Sequence, residues 1–370
     1  MVRDPYGARD LAMLGSLYLA RARETGSYQD LLRAEDAART SYRHRARRNS
    51  EAAALLASAL LAEHRFTEAY TTAKALVAAD SSEPGTRAML GEIALELGHY
   101  EEAKRLFSTI ATQRYAPALA PRYARWLELE GRPVEALDLL RSVRRDLDNG
   151  FRVPAEQLAW FDLRIGDLEL RRGRLREAGK AFGAGLSEAP EDYRLLGAEA
   201  RLHAAKKDWS GAIRFGERAI ANVLDPATLG LLSDCYAAQG DTAKAAGIRQ
   251  GDGSIGEPAA RRLSPSLVPL PAGSRPGCSS GAAKGERGTA HAQGCLRLRP
   301  RRLGPYTSRA AISKRHRSST QALSQGTRDA MLYWHAGADR CSIGDTLLAR
   351  ERFESARDIN PYYRAISPKP

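Results

Sequence analysis

The sequence predicts an all-α solenoid, a row of helical hairpins in which each pair packs on the next. Two observations predict it: a short segment that recurs at a near-constant interval, and apolar residues at helical spacing around it. The segment Gly98 to Ala103 has close relatives at Gly131 to Ala136, Gly173 to Ala178, Gly240 to Ala245 and Gly344 to Ala349, with weaker copies at His64 to Ala69 and Lys207 to Ala212. Their closing alanines stand at 69, 103, 136, 178, 212, 245 and 349, in steps of 34, 33, 42, 34, 33 and 104. A period of 34 residues marks an architecture of stacked supersecondary units, none of which can bury its apolar face alone.

Composition agrees with a folded chain and narrows its class. Of 370 residues, 43% are hydrophobic and 27% charged, and there is no apolar run near the ~18 residues that a membrane helix requires. Four cysteines with no C-x-x-C pair exclude a disulfide framework and a zinc ribbon. The net charge of +13 is unevenly placed. Residues 251–320 hold 13 Lys/Arg against three acids, whereas the remainder holds 44 basic and 41 acidic side chains. The repeats themselves are therefore close to neutral, which weakens the nucleic-acid reading that a basic chain first suggests.

Residues 1–50 read as a degenerate repeat. Leu14, Gly15 and Tyr18 fall ten residues after Asp4-Pro5, where a first helix would place them, and Gly26 and Tyr28 follow about four residues late. The expectation is that the array continues upstream. Residues 11–20 are not read as a signal peptide, because Asp4 and Asp10 precede a short apolar core and Arg21 and Arg23 follow it.

Residues 51–249 read as about six repeats. In one of them Leu90, Gly91, Ala94 and Leu95 recur at helical spacing before the turn, and Ala103, Leu106, Phe107 and Ile110 after it. Small residues allow two helices to cross closely while larger ones fill the gaps. Pro84, Pro117, Pro190, Pro226 and Pro361 close units, since proline cannot continue a helix. One unit is longer by eight residues, and Asn149-Gly150 and Pro154 place the insertion as a loop near 146–155.

Residues 250–325 lack the alanines and the apolar periodicity of the repeats, although the interval of 104 residues has room for two more of them. Rich in Arg, Gly, Pro and Ser, and holding Cys278 and Cys295, the segment has the composition of a GC-rich frame translated out of phase. The expectation is a frameshift-derived stretch of a longer array, with a disordered basic linker as the alternative. Tyr333, Trp334 and Gly337, then Phe353, Ala356, Asn360 and Pro361, restore one isolated repeat over 326–363, followed by a tail at 364–370.

The period and the placing of Gly166, Gly173, Ala178, Phe182 and Pro190 resemble the tetratricopeptide repeat at its small, turn, small, aromatic and proline positions. Lys207 in place of a turn glycine and Gly216 in place of an aromatic depart from it. The resemblance implies a right-handed superhelix and a non-catalytic scaffold that binds a protein or peptide on its concave, first-helix face. Carried over residue by residue, it puts Glu92, Glu96, Arg125, Glu128, Trp160, Asp167, Arg171, Arg194, Arg201 and Asp234 in that groove.

The arginines of this set suit an acidic or C-terminal carboxylate segment held through bidentate bonds, with Trp160 adding apolar area. The competing expectation is that they only pair with Glu128, Asp167 and nearby acids. Trp126 and Trp209 are expected to pack between repeats. A chaperone-tail clamp would need groove asparagines, whereas Asn49, Asn149, Asn222 and Asn360 fall at helix ends or loops.

An RNA-binding helical repeat is an alternative, disfavoured because the groove alternates sign. A regulatory array belonging to an enzyme whose catalytic part lies elsewhere is another. No catalytic, cofactor or metal motif stands up. Gly251, Gly253 and Gly256 fit G-x-G-x-x-G, but a helix precedes them and Pro258 blocks the helix that should follow. Cys278, His291 and Cys295 lack a fourth ligand. Compartment and oligomeric state leave no mark in the sequence.

Overall fold

The computed structural model describes residues 7–150, 153–250, 323 and 326–363. The anomalous basic segment lies outside these, apart from its edges. The described chain is helical, with no strand. In order, the helices are α1 (Ala8–Thr25), α2 (Tyr28–His44), α3 (Ser50–Ala62), α4 (Phe66–Ala79), α5 (Pro84–Glu96), α6 (Tyr100–Thr109), α7 (Ala120–Leu129) and α8 (Pro133–Asp148). There follow α9 (Ala155–Arg171), α10 (Leu175–Glu188), α11 (Tyr193–Ala205), α12 (Trp209–Asn222), α13 (Pro226–Gln239), α14 (Thr242–Gln250), α15 (Ala330–Ser342) and α16 (Thr346–Ile359). Each odd-numbered helix pairs with the next as a hairpin, and the seven hairpins from α1 to α14 stack in succession. The result is a right-handed superhelical solenoid.

The recurring segment is a helix terminator. At the end of α3, α5, α7, α9, α11, α13 and α15 the residue at the turn has positive φ: His64, Gly98, Gly131, Gly173, Lys207, Gly240 and Gly344. Just beyond it a backbone N–H reaches back to the first helix, as in His99 N to Ala94 O at 2.8 Å and Asp208 N to His203 O at 2.9 Å. This is the Schellman closure, which satisfies carbonyls that the helix end leaves without partners. Glycine takes the left-handed conformation without steric penalty, and His64 and Lys207 adopt it where glycine is absent.

In three hairpins the packing rests on a glycine facing an aromatic. A Cβ on Gly166 would stand 2.3 Å from the Phe182 ring, one on Gly337 2.8 Å from Phe353, and one on Gly91 3.0 Å from Phe107. Phe107 and Phe182 are fully buried. Between hairpins, Trp126 of α7 stacks on Phe107 of α6 with centroids 5.5 Å apart, and Trp209 packs at the edge of the core formed by α11 to α14. In the degenerate first hairpin Gly15 plays the small-residue part, its Cβ position lying 2.5 Å from Leu55.

The eight-residue insertion is shared between helix and loop. Asp146 to Asp148 continue α8 and Ala155 opens α9, so both helices are long, at 16 and 17 residues, and of the residues between them the described ones, 149, 150, 153 and 154, are not helical. Helix continues because 144–148 is free of Gly and Pro and because charged side chains hold the junction together. Arg144 meets Asp162 at 3.1 Å and Arg141 meets Glu169 at 2.5 Å. Burial pushes the Asp162 carboxyl above its ordinary value, and Arg144 opposes that shift.

Two contacts go beyond nearest-neighbour stacking. The last hairpin, expected to stand alone, touches the array. Thr327 Oγ1 donates to Leu129 O at 2.6 Å, and Asn360 Nδ2 donates to Leu170 O at 3.0 Å. It thereby seats its two ends on the turns at Gly131 and Gly173, where the backbones meet closely. Leu129 and Leu170 lie in the final turns of α7 and α9; helix-end carbonyls have room for a second donor, and Leu170 O also accepts the Gly173 N–H at 3.0 Å. At the other end, Gly26 between α1 and α2 lies against Val223, which joins α12 to α13.

Candidate binding groove

First helices face one another along the stack: α5 packs on α7, α9 on α11 and α11 on α13. Their polar faces are joined by a stripe of ion pairs. Arg122 of α7 meets Glu92 of α5 at 2.7 Å. Arg171 of α9 hydrogen-bonds Glu128 of α7, which also receives Arg164 at 3.4 Å and Arg125 at 3.3 Å. Arg201 of α11 meets Asp167 of α9 at 2.8 Å. Arg194 of α11 meets Glu156 of α9 at 3.4 Å and its own helix cap, Asp192, at 2.5 Å.

Five residues expected in the groove therefore come together: Arg125, Glu128, Asp167, Arg171 and Arg201. Glu92 and Arg194 belong to the same stripe but meet other partners. Trp160 is half-buried, packed against the core and set edge-on to Phe161 at 5.3 Å. Asp234 is half-buried on α13, and Glu96 is exposed at the end of α5. The asparagines Asn49, Asn149 and Asn360 are helix caps, and Asn222 ends α12.

Sequence reasoning missed three arginines. Arg164 shares a helix face with Trp160, Asp167 and Arg171, at i−4, i+3 and i+7 from it, so the face itself was the signal. Arg122 stands one turn before Arg125 in the same way. Arg23 had no local signal, because only the curvature of the array carries the end of α1 toward the concave face. There it is exposed yet enclosed on several sides. Desolvation pulls its guanidinium below the ordinary value; Glu156 and Glu92 oppose that shift, and Arg122 and Arg194 add to it.

Among the described residues there is no group of His, Cys, Asp and Glu side chains that could hold a metal ion, and no helix is long and apolar enough to cross a membrane.

Comparison with known proteins follows the same geometry. A tetratricopeptide repeat family model matches residues 60–125, from the end of α3 into α7. No curated protein sequence matches the chain. Human IFIT1, solved as a dimer with m7Gppp-AAAA, is similar at 12% identity with a TM-score of 0.51, over 94% of this chain and 71% of that one. The Cut9–Hcn1 hetero-tetramer of the APC/C is similar at 14% identity and a TM-score of 0.50, over 98% of this chain and 56% of that one. A tetratricopeptide repeat protein of Parabacteroides merdae shares 16% identity over 67% of this chain and 93% of its own, with a TM-score of 0.44. At these identities the likeness is one of fold. The recurring turn closure, the glycine set against an aromatic in three of the hairpins and the family match over residues 60–125 together show the tetratricopeptide repeat fold in this chain.

Proposed function

We propose that the chain is a non-catalytic protein-interaction scaffold whose concave face holds an acidic peptide or protein segment. The observation behind this reading is the stripe across α5, α7, α9 and α11, in which arginines outnumber carboxylates and the Arg125, Arg171 and Arg201 side chains remain 40%, 37% and 35% exposed. Guanidinium groups with spare donors form charge-assisted bonds to carboxylates and hold them in a fixed plane. The partner supplies the acidic side chains, and the rigid stack supplies their spacing.

Anisotropy titration of a labelled Asp/Glu-rich peptide against the full chain tests this. Arg171→Glu should weaken binding by about 1–3 kcal/mol, the loss typical of a hydrogen bond to a charged group. A change within about 0.5 kcal/mol would assign the arginine to the solvated surface. A labelled single-stranded RNA in a parallel titration separates the classes. Tight RNA binding that falls steeply with salt and needs Arg171 would replace the peptide reading.

A further inference from the structure

Among the described residues, the centre of the stripe is not charge-balanced. Arg125, Arg164 and Arg171 all converge on Glu128, and Arg164 and Arg201 both reach Asp167, at 3.9 and 2.8 Å. Four guanidinium groups thus share two carboxylates, an excess of two positive charges supplied from three first helices. Glu128 is only 8% exposed, so its charge is already engaged by the arginines around it. Burial pulls the Arg164 guanidinium down, and Arg171 adds to that; Glu128 and Asp167 oppose it. A concentration of like charge in a concavity is unfavourable in the empty protein, and each guanidinium carries five donors against the few acceptor positions that two carboxylates offer.

A ligand that relieves this needs two negative charges at one point and several acceptor oxygens. A carboxylate brings one charge, and a phosphodiester spreads single charges along a backbone. A phosphomonoester brings about −1.5 to −2 near pH 7 and three strong acceptor oxygens. We propose that Arg125, Arg164, Arg171 and Arg201 form a subsite for a phosphomonoester, carried by a phosphorylated side chain of the bound peptide. This rests on the groove reading above and refines it: the acidic segment is anchored by a phosphate, and its recognition is switched by phosphorylation.

The test captures two degenerate peptide libraries on the immobilised full chain, identical except that one is fixed at phosphoserine and the other at glutamate. The phosphoserine library should be retained at least tenfold better, phenyl phosphate should release it, and retention should fall as pH drops through the second phosphate pKa of about 6. Arg125→Gln with Arg171→Gln should reduce retention to the glutamate level. Arg201→Gln, on a separate helix, should weaken it independently, and it decides the matter if the double variant fails to fold.

Equal retention of the two libraries would overturn the phosphate subsite and leave the acidic-peptide groove standing. Phosphate selectivity that survives in the folded arginine variants would also overturn it, since the phosphate would then sit elsewhere. Failure to retain either library would overturn both readings, as would retention of a single-stranded RNA in place of either.

Discussion

Charge in this chain acts through residues that are paired before any partner arrives, and Asp30 shows how. It is 3% exposed and receives the Arg21 fork at 2.7 and 2.6 Å and Arg33 at 3.0 Å, while its N–H is capped by Ser27. The Arg21 bond, set against desolvation, holds the Asp30 carboxyl below its ordinary value. Because the folded value is depressed, the stabilisation is complete above the unfolded carboxylate pKa of about 4 and is lost as pH falls through the folded value. Asp30→Asn should therefore destabilise the chain at pH 7, and the gap from wild type should close toward pH 3. Urea melts at several pH values measure this; a gap independent of pH would mean the loss is one of packing. Residues such as Gly166 and Phe182 were legible in the sequence, because a close crossing leaves room for only one large side chain. Asp162 was not, since a buried charge has the same letter as a solvated one.

Hairpins are the units whose type could be read from the sequence, and their ends are where reading was weaker. The turn glycines fixed where each first helix stops, and Lys207 keeps the same left-handed turn at φ 62°. Alanine at the start of the second helix, as at Ala103 and Ala178, marked where the pair closes. The lengthening of α8 and α9 left no such mark, because residues 144–148 suit a helix and a loop surface equally. The seat of the last hairpin was also hidden, since it joins residues 198 and 190 positions apart in sequence. Asn360 is 2% exposed, donates to Leu170 O and accepts from Tyr362 N. Asn360→Ala removes both bonds, while Leu170 O keeps the Gly173 N–H; two hydrogen bonds at about 0.5–1.5 kcal/mol each make this a change of about 1–3 kcal/mol. Hydrogen exchange in α16 should then rise roughly tenfold or more, at about 1.4 kcal/mol per tenfold, while α3 to α6 stay unchanged. Unaltered exchange in α16 would mean that the hairpin is held by its own core.

A stack of repeats is expected to join neighbours only, so that curvature follows from a small rotation at each step. Here the curvature brings distant hairpins into contact: Gly26 lies against Val223, which is 1% exposed, and a Cβ on Gly26 would stand 2.7 Å from the valine side chain. Arg23, three residues before Gly26, feels the charges of Glu92, Arg122, Glu156 and Arg194, which brings the end of α1 within electrostatic reach of the groove. On the proposed groove reading, access for a peptide and the shape of the molecule are linked through one apolar contact between two connecting segments. Val223→Asp would set a carboxylate against Gly26. Separation of the segments is the cheaper response, because it restores water to the charge while the valine N–H that caps α12 belongs to the backbone and is retained. The radius of gyration, roughly 21 Å for a compact chain of this length, should increase by on the order of 2 Å in small-angle scattering, with circular dichroism unchanged. Opening should also raise the association rate of the acidic peptide, since α1 no longer narrows the approach. An unchanged radius together with lowered stability would show that neighbour stacking alone sets the curvature, and that Arg23 plays no part in admitting the ligand.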